Sequence, residues 1–152
     1  RLPFLVYPAA GGAGALEALA RGFEALFASH GWPPAWRDGV FAYHHYHSTA
    51  HEALGIAAGT MRVQLGGDRG VELEAGPGDC IVIPAGVAHR RLSSSTGLLI
   101  VGAYPADQAP DMLYGKPGER PGADARIARV PLPSQDPVRG PGGPLRRLWQ
   151  EG

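Results

Sequence analysis

The sequence predicts an all-β sandwich or barrel, and three observations carry that prediction. Short apolar or alternating runs recur from Thr60 onward with Gly/Pro punctuation between them. Gly (23) and Pro (15) are too abundant for a helical protein and suit a turn-rich β fold. Only one segment, near the N-terminus, shows helical spacing of apolar residues. The 152 residues make one domain (1–152), long enough to bury a core.

In chain order, Leu2 to Tyr7 reads as an edge strand ended by Pro8. Leu16, Leu19, Ala20, Phe23, Leu26 and Phe27 place an amphipathic helix at about 13–29. Glu17 and Arg21 sit four apart on its polar face, and Gly31 supplies a stop. Strand, glycine run and helix resemble a dinucleotide fingerprint only superficially, because Glu17 stands where G-x-G-x-x-G from Gly12 needs Gly or Ala. Gly31 to Trp36 is a rigid connection. Thr60 to Leu65 alternates Met61, Val63 and Leu65 against Thr60, Arg62 and Gln64. After the Gly66–Gly70 turn, Val71 and Leu73 alternate with Glu72 and Glu74, giving a hairpin. Cys80 to Ile83 is apolar throughout, as in a strand buried on both sides. Ser93 to Gly97 reads as a loop and Leu98 to Val101 as a further buried strand. The barrel core is set at about 36–104.

From Pro105 onward Pro, Gly and charge dominate, and the long arm of about 105–152 reads as extended but ordered. Met112, Leu113, Tyr114, Ile127, Val130, Leu132 and Trp149 are apolar anchors that a solvated tail does not need. Gly115-Lys116 is not a phosphate loop, since the preceding glycines are missing and Pro117 replaces Ser/Thr.

Formal net charge is zero, 14 acids against 14 bases, so nothing in the charge favours nucleic acid or a membrane surface. No apolar run reaches the roughly 18 residues of a membrane span. One cysteine, Cys80, allows no internal disulfide and fits a cytoplasmic protein, with the thiol a small buried apolar group.

The chemistry concentrates in Gly39–Gly59. His44, His45, His47 and His51 fall together, with Glu52 directly after. On an extended strand His45 and His47 share a face, and His44 and Tyr46 take the other. A turn over Ser48–Ala50 returns Glu52 beside them, inward with Leu54 and Ile56. His89 follows the tight Pro84–Gly86 turn. Three imidazoles and one carboxylate, converging from three strands, make a site for a divalent first-row metal. Parity turns His44 and His51 away, as supporting or interface residues or as alternate ligands. Tyr43 shares parity with His45 and His47, and Arg91 with His89. These two are the expected polar, catalytic side chains of the cavity, Arg91 suited to a carboxylate.

Gly39, His45, His47, Glu52 and Gly59 fall on the first motif of the cupin superfamily, a glycine, five residues, His-x-His, four residues, Glu, six residues and Gly. Gly78, Pro84, Gly86 and His89 fall on its second, with Ser93 in place of the usual asparagine. The chain therefore resembles a cupin. Further segments resemble the YjlB group of small bacterial cupins: Trp36–Gly39, the His44–Ser48 run, Gly102–Pro105, Gly115–Arg120, Val130–Pro133 and Gly143–Leu145 with Trp149. The resemblance implies a double-stranded β-helix (jelly roll) and a metal held by His45, His47, Glu52 and His89, but no substrate.

Four protein ligands leave two positions open on octahedral Fe, Mn, Ni or Co and none on tetrahedral Zn. The expected function is an Fe- or Mn-dependent dioxygenase-type enzyme on a small organic acid or enolisable substrate. The alternatives are a metal-dependent isomerase or epimerase and a non-catalytic metal- or metabolite-binding cupin. A homodimer is also expected, from the long anchored arm, the doubly apolar strand Cys80–Ile83 and an open sheet edge.

Overall fold

The computed structural model describes residues 2–150 and contains eight strands and three helices among them. These are β1 (Leu5–Tyr7), α1 (Leu16–Ser29), β2 (Pro34–Asp38), β3 (Glu52–Ala58), β4 (Met61–Leu65), β5 (Val71–Ala75), β6 (Cys80–Ile83), β7 (His89–Ser94), β8 (Leu99–Ala103), α2 (Gly122–Arg129) and α3 (Pro144–Gln150). Two antiparallel sheets, ordered β1-β6-β3-β8-β2 and β5-β4-β7, face each other as the expected jelly roll. No described helix is long and apolar enough to cross a membrane.

Alternation divides the apolar residues into two layers. Leu54 and Ile56 of β3, Met61, Val63 and Leu65 of β4, and Ile81 and Ile83 of β6 point between the sheets. The intervening Ala53, Ala57, Cys80 and Val82 form the opposite face of the large sheet, where α1 docks with Phe23 and Phe27. β6 is thus buried on both sides within one chain, between β1 and β3. Gly55 opens the seat for α1. A Cβ there meets the Phe23 ring at 2.5 Å, so only hydrogen lets the helix approach. Gly78 of the second motif has a similar role, at φ 93°, where a Cβ would lie 2.2 Å from the Gly12 carbonyl oxygen. The Gly11–Gly14 run is the partner of that turn, and Gly11 N–H donates to Gly78 O at 2.8 Å.

Several local expectations change. The Gly31–Trp36 connection ends in a strand, β2, which pairs with β8. Ser93 and Ser94 belong to β7, and the loop starts after them. The histidine run is not a strand. It is a loop between β2 and β3, held by two isolated bridges, His45 to His89 and Tyr46 to Leu113. The arm is ordered but not extended throughout, since α2 and α3 lie in it.

The arm packs on its own barrel. Trp149 and Leu145 of α3 join the layer around α1, and the Trp149 indole donates to Pro3 O at 2.8 Å. Asp136, fully buried, accepts the Tyr7 hydroxyl and the N–H groups of Val138, Arg139 and Leu145. Met112, Tyr114 and Leu132, expected as anchors, are instead only partly covered, each more than a third exposed. The arm and β6, two of the three features behind the expected dimer, are therefore accounted for inside one subunit.

Glu119 fastens the middle of the arm. Its carboxylate accepts the Tyr114 and Gly115 N–H groups and the Tyr46 hydroxyl, which hold it down to about 2. Because the folded value lies below the unfolded one, this stabilisation is complete above roughly pH 4.5 and is lost as pH falls toward 2. Glu119→Gln should lower the urea midpoint at pH 6 and flatten its decline between pH 5 and pH 3. Gly55→Ala should cost about 1–3 kcal/mol through overpacking against Phe23. Gly22→Ala, in an open position of the same helix system, should gain about 0.5–1 kcal/mol. Urea denaturation of the two variants measures both signs.

Candidate metal centre

The centre is assembled from main-chain bonds outward. His45 and His89 exchange both backbone hydrogen bonds, at 3.1 and 2.9 Å, which brings their rings to a centroid distance of 4.1 Å. His47 O accepts the Gly86 N–H at 2.8 Å, tying the loop to the second-motif turn. Glu52 begins β3 opposite Ile83, and His89 begins β7 opposite Leu65. Two of the four side chains thus come from a loop and two from strand ends, rather than from three strands. All four are at least 95% buried.

Each imidazole is oriented by a carbonyl. His45 Nδ1 bonds to Tyr43 O at 3.1 Å, His47 Nδ1 to Asp111 O at 2.5 Å, and His89 Nδ1 to Val87 O at 3.2 Å. A carbonyl only accepts, so Nδ1 carries the proton in all three rings and each Nε2 presents a lone pair. Ligand atoms of His45, His47 and His89 lie within 4.8 Å of one another. Glu52 completes the set, with Oε2 3.4 Å from His47 Nε2 and Oε1 3.2 Å from His89 Nε2. His47 Nε2 is buried and has no hydrogen-bond partner. An orphaned imidazole nitrogen beside a buried carboxylate and two further imidazoles is the donor set of a divalent metal.

The electrostatics suit ligation. Burial, with the neighbouring His89, lowers His45 to about 4, so its ring stays neutral in near-neutral solution. Burial alone would raise Glu52, yet the adjacent His47 and His89 rings hold it well below the carboxylate range. Burial works against a proton on His47, but the Glu52 carboxylate outweighs it and raises the value. The carboxylate is the pole around which the imidazoles gather.

The four groups open onto a cavity of about 250 Å³, walled by Trp36, Val40, Phe41, Leu54, Tyr104 and Met112, with Asp38 at its edge. Tyr104 went unnoticed in the sequence. It follows β8, its hydroxyl accepts the Trp36 indole N–H at 2.9 Å, and its ring stands 5.9 Å from that of His47. Burial and the adjacent Glu52 push its phenol up, so it remains a donor.

Tyr43 and Arg91, the polar groups expected in the cavity, stand outside its lining. Tyr43 is half exposed and stacks on Phe41, because the loop bends at residues 42 and 43 and interrupts the strand alternation. Arg91 does lie opposite inward Val63, but a bulge at Leu92 brings Ser94 onto the same face. The guanidinium turns to Ser94 Oγ at 2.9 Å.

His44 and His51 are not near the metal ligand atoms' convergence. His44 Nε2 pairs with Asp68 at 2.8 Å on the outer side. His51 packs on Trp149, and its Nδ1 accepts the Ala85 N–H at 2.9 Å, bracing the Pro84–Gly86 turn. Cys80 is buried in the layer beneath α1, where burial pushes its thiol up.

Asp111 of the arm is the second group the sequence did not reveal. Its carboxylate accepts Ser48 N–H at 2.6 Å and the Ser48 hydroxyl, and its own carbonyl orients His47. Arg126 of α2 adds a bond to Ser48 Oγ at 2.8 Å. Asp111→Ala keeps that carbonyl but removes the Ser48 bonds that fix the segment presenting it, and should therefore weaken metal binding by up to about tenfold. His44→Ala should leave affinity within about threefold. Competition against a chelator of known affinity measures both, and equal losses would show that His44 belongs to the centre.

The cupin domain family matches residues 36–99, which hold all four converging side chains. The uncharacterized protein YjlB of Bacillus subtilis (strain 168) is 43% identical over 126 residues, 83% of this chain and 76% of that protein. Among solved structures, acireductone dioxygenase from Bacillus anthracis aligns at 14% identity and a TM-score of 0.45, over 72% of this chain and 82% of that one. A DUF861 family protein from Thermotoga maritima aligns at 18% identity and a TM-score of 0.39, over 66% and 97%. Both structural likenesses are too distant to transfer an activity. Motif spacing, two-sheet architecture and the YjlB relationship agree: the chain belongs to the cupin superfamily, in the group of small cupins that includes YjlB.

Proposed function

We propose that the protein is a mononuclear iron- or manganese-dependent enzyme of dioxygenase type, acting on a small metal-chelating organic acid or enolisable molecule. One observation carries this reading. The four donors gather at one side of an open cavity, rather than closing around a point inside the core. His45, His47, His89 and Glu52 would hold the ion. Their mixed nitrogen and oxygen character fits iron or manganese, which keep positions open beyond four protein ligands. When bound, such an ion supplies Lewis acidity and redox chemistry with dioxygen.

The chain's own contributions follow from the walls. Trp36, Phe41, Leu54 and Met112 exclude water and give a flat molecule an apolar seat. The protonated Tyr104 hydroxyl, beside Glu52, stands ready to donate to a substrate oxygen. No lysine or arginine among the described residues lines the cavity, which disfavours a sugar phosphate. The volume, about 250 Å³, is below the range for drug-sized ligands and favours a single small ring or short chain.

Metal analysis of protein grown without supplementation, then anaerobic titration of the iron form with small catechols and enol acids, tests the reading. The expected result is a charge-transfer band on binding and oxygen uptake once air is admitted. His47→Ala or His89→Ala should lose the iron and the band together. Binding without turnover, or zinc held by all four side chains, would favour a metal- or metabolite-binding protein. Turnover without oxygen uptake would favour an isomerase or epimerase.

A further inference from the structure

We infer that the cavity selects a substrate bearing a positively charged group, such as an ammonium, with Asp38 as its counter-ion and the aromatic rim as its seat. This rests on the metal-chelating reading above. Two independent features of the cavity point to it.

The first is charge. Apart from the four converging side chains, Asp38 is the only carboxylate lining the cavity among the described residues, and no described lysine or arginine lines it. One Asp38 oxygen accepts the Gly39 N–H at 2.8 Å, which fixes the side chain while its other oxygen has no ion-pair partner among the described residues. The adjacent cation, Arg37, is committed elsewhere, to Glu17 and Glu24 on α1. Arg91 is committed to Ser94.

The second is the rim. Phe41, from the cavity wall, stacks on Tyr43 at 4.9 Å, and Tyr43 meets Tyr114 at 5.8 Å. All three rings are more than 40% exposed, a contiguous aromatic surface that runs outward from Phe41 in the cavity wall and that the fold itself does not cover. Aromatic faces beside a carboxylate are the recognition chemistry of an ammonium group. Three neutral imidazoles and one carboxylate leave a divalent ion with one positive charge, so an anionic chelating head is balanced there. A second anionic group would meet Asp38, and a cationic one would be held by it.

The test uses three catechols that share the chelating head and differ in the tail: aminoethyl, ethyl and carboxyethyl. Iron-loaded protein is titrated anaerobically with each at pH 7, following the catecholate charge-transfer band. The aminoethyl compound should bind about five- to tenfold more tightly than the carboxyethyl one, with the ethyl compound between them. Asp38→Asn should reduce that spread to about twofold with iron content unchanged. Tyr43→Ala, which leaves the carboxylate in place, should weaken the aminoethyl compound more than the ethyl one. Equal affinities, a reversed order, or a spread that survives Asp38→Asn would overturn the inference while leaving the metal reading standing. Absence of iron uptake or of any band would overturn both.

Discussion

The centre depends on one repeated interaction, a buried imidazole N–H given to a main-chain carbonyl. It occurs at His45, His47 and His89, and in each case it decides which nitrogen is free. Without it the rings would have two tautomers and several rotamers, and the lone pairs would not converge. The bond also offsets part of the cost of burial by satisfying each ring's N–H, which leaves the Nε2 lone pair, orphaned at His47, as the atom that calls for a metal. The carbonyls come from three places: the His45 loop itself, the second-motif turn, and the arm. Barrel, turn and arm must all be folded before the donor set exists.

That dependence explains what the sequence made legible. The motif spacing located the four converging side chains, and strand parity placed Glu52, Leu54 and Ile56 inward, because β3 is a regular strand from Glu52 onward. The same parity failed upstream, where the chain bends at residues 42 and 43 and makes only isolated bridges at His45 and Tyr46. His45 and His47 still share the cavity, but Tyr43 leaves it for the rim. At Arg91 the inward face was right and the destination wrong, since a bulge one residue later supplies a nearer partner. Bulges and bends carry no side-chain signature in one sequence, so alternation cannot be followed through them.

Tyr104 and Asp111 were hidden for a different reason. Their roles come from tertiary contact. Tyr104 reaches the cavity because Trp36 packs flat against Gly102, where a Cβ would meet the ring at 2.1 Å, and then holds the tyrosine hydroxyl. The Gly102–Pro105 segment contains both residues of that arrangement, yet nothing in its pattern says that the tryptophan lies across it. Asp111 acts partly through its backbone, which has no residue-type signal at all. The helical content of the arm was similarly masked by its Pro and Gly residues.

The carbonyl bond from Asp111 to His47 has a wider meaning for how such proteins diverge. The recognisable domain ends at Leu99, and it contains every converging side chain. Two further groups that adjoin them, Tyr104 and Asp111, come afterwards, outside the matched domain. Substitutions there can shift metal affinity, ring orientation and cavity polarity while the signature stays intact.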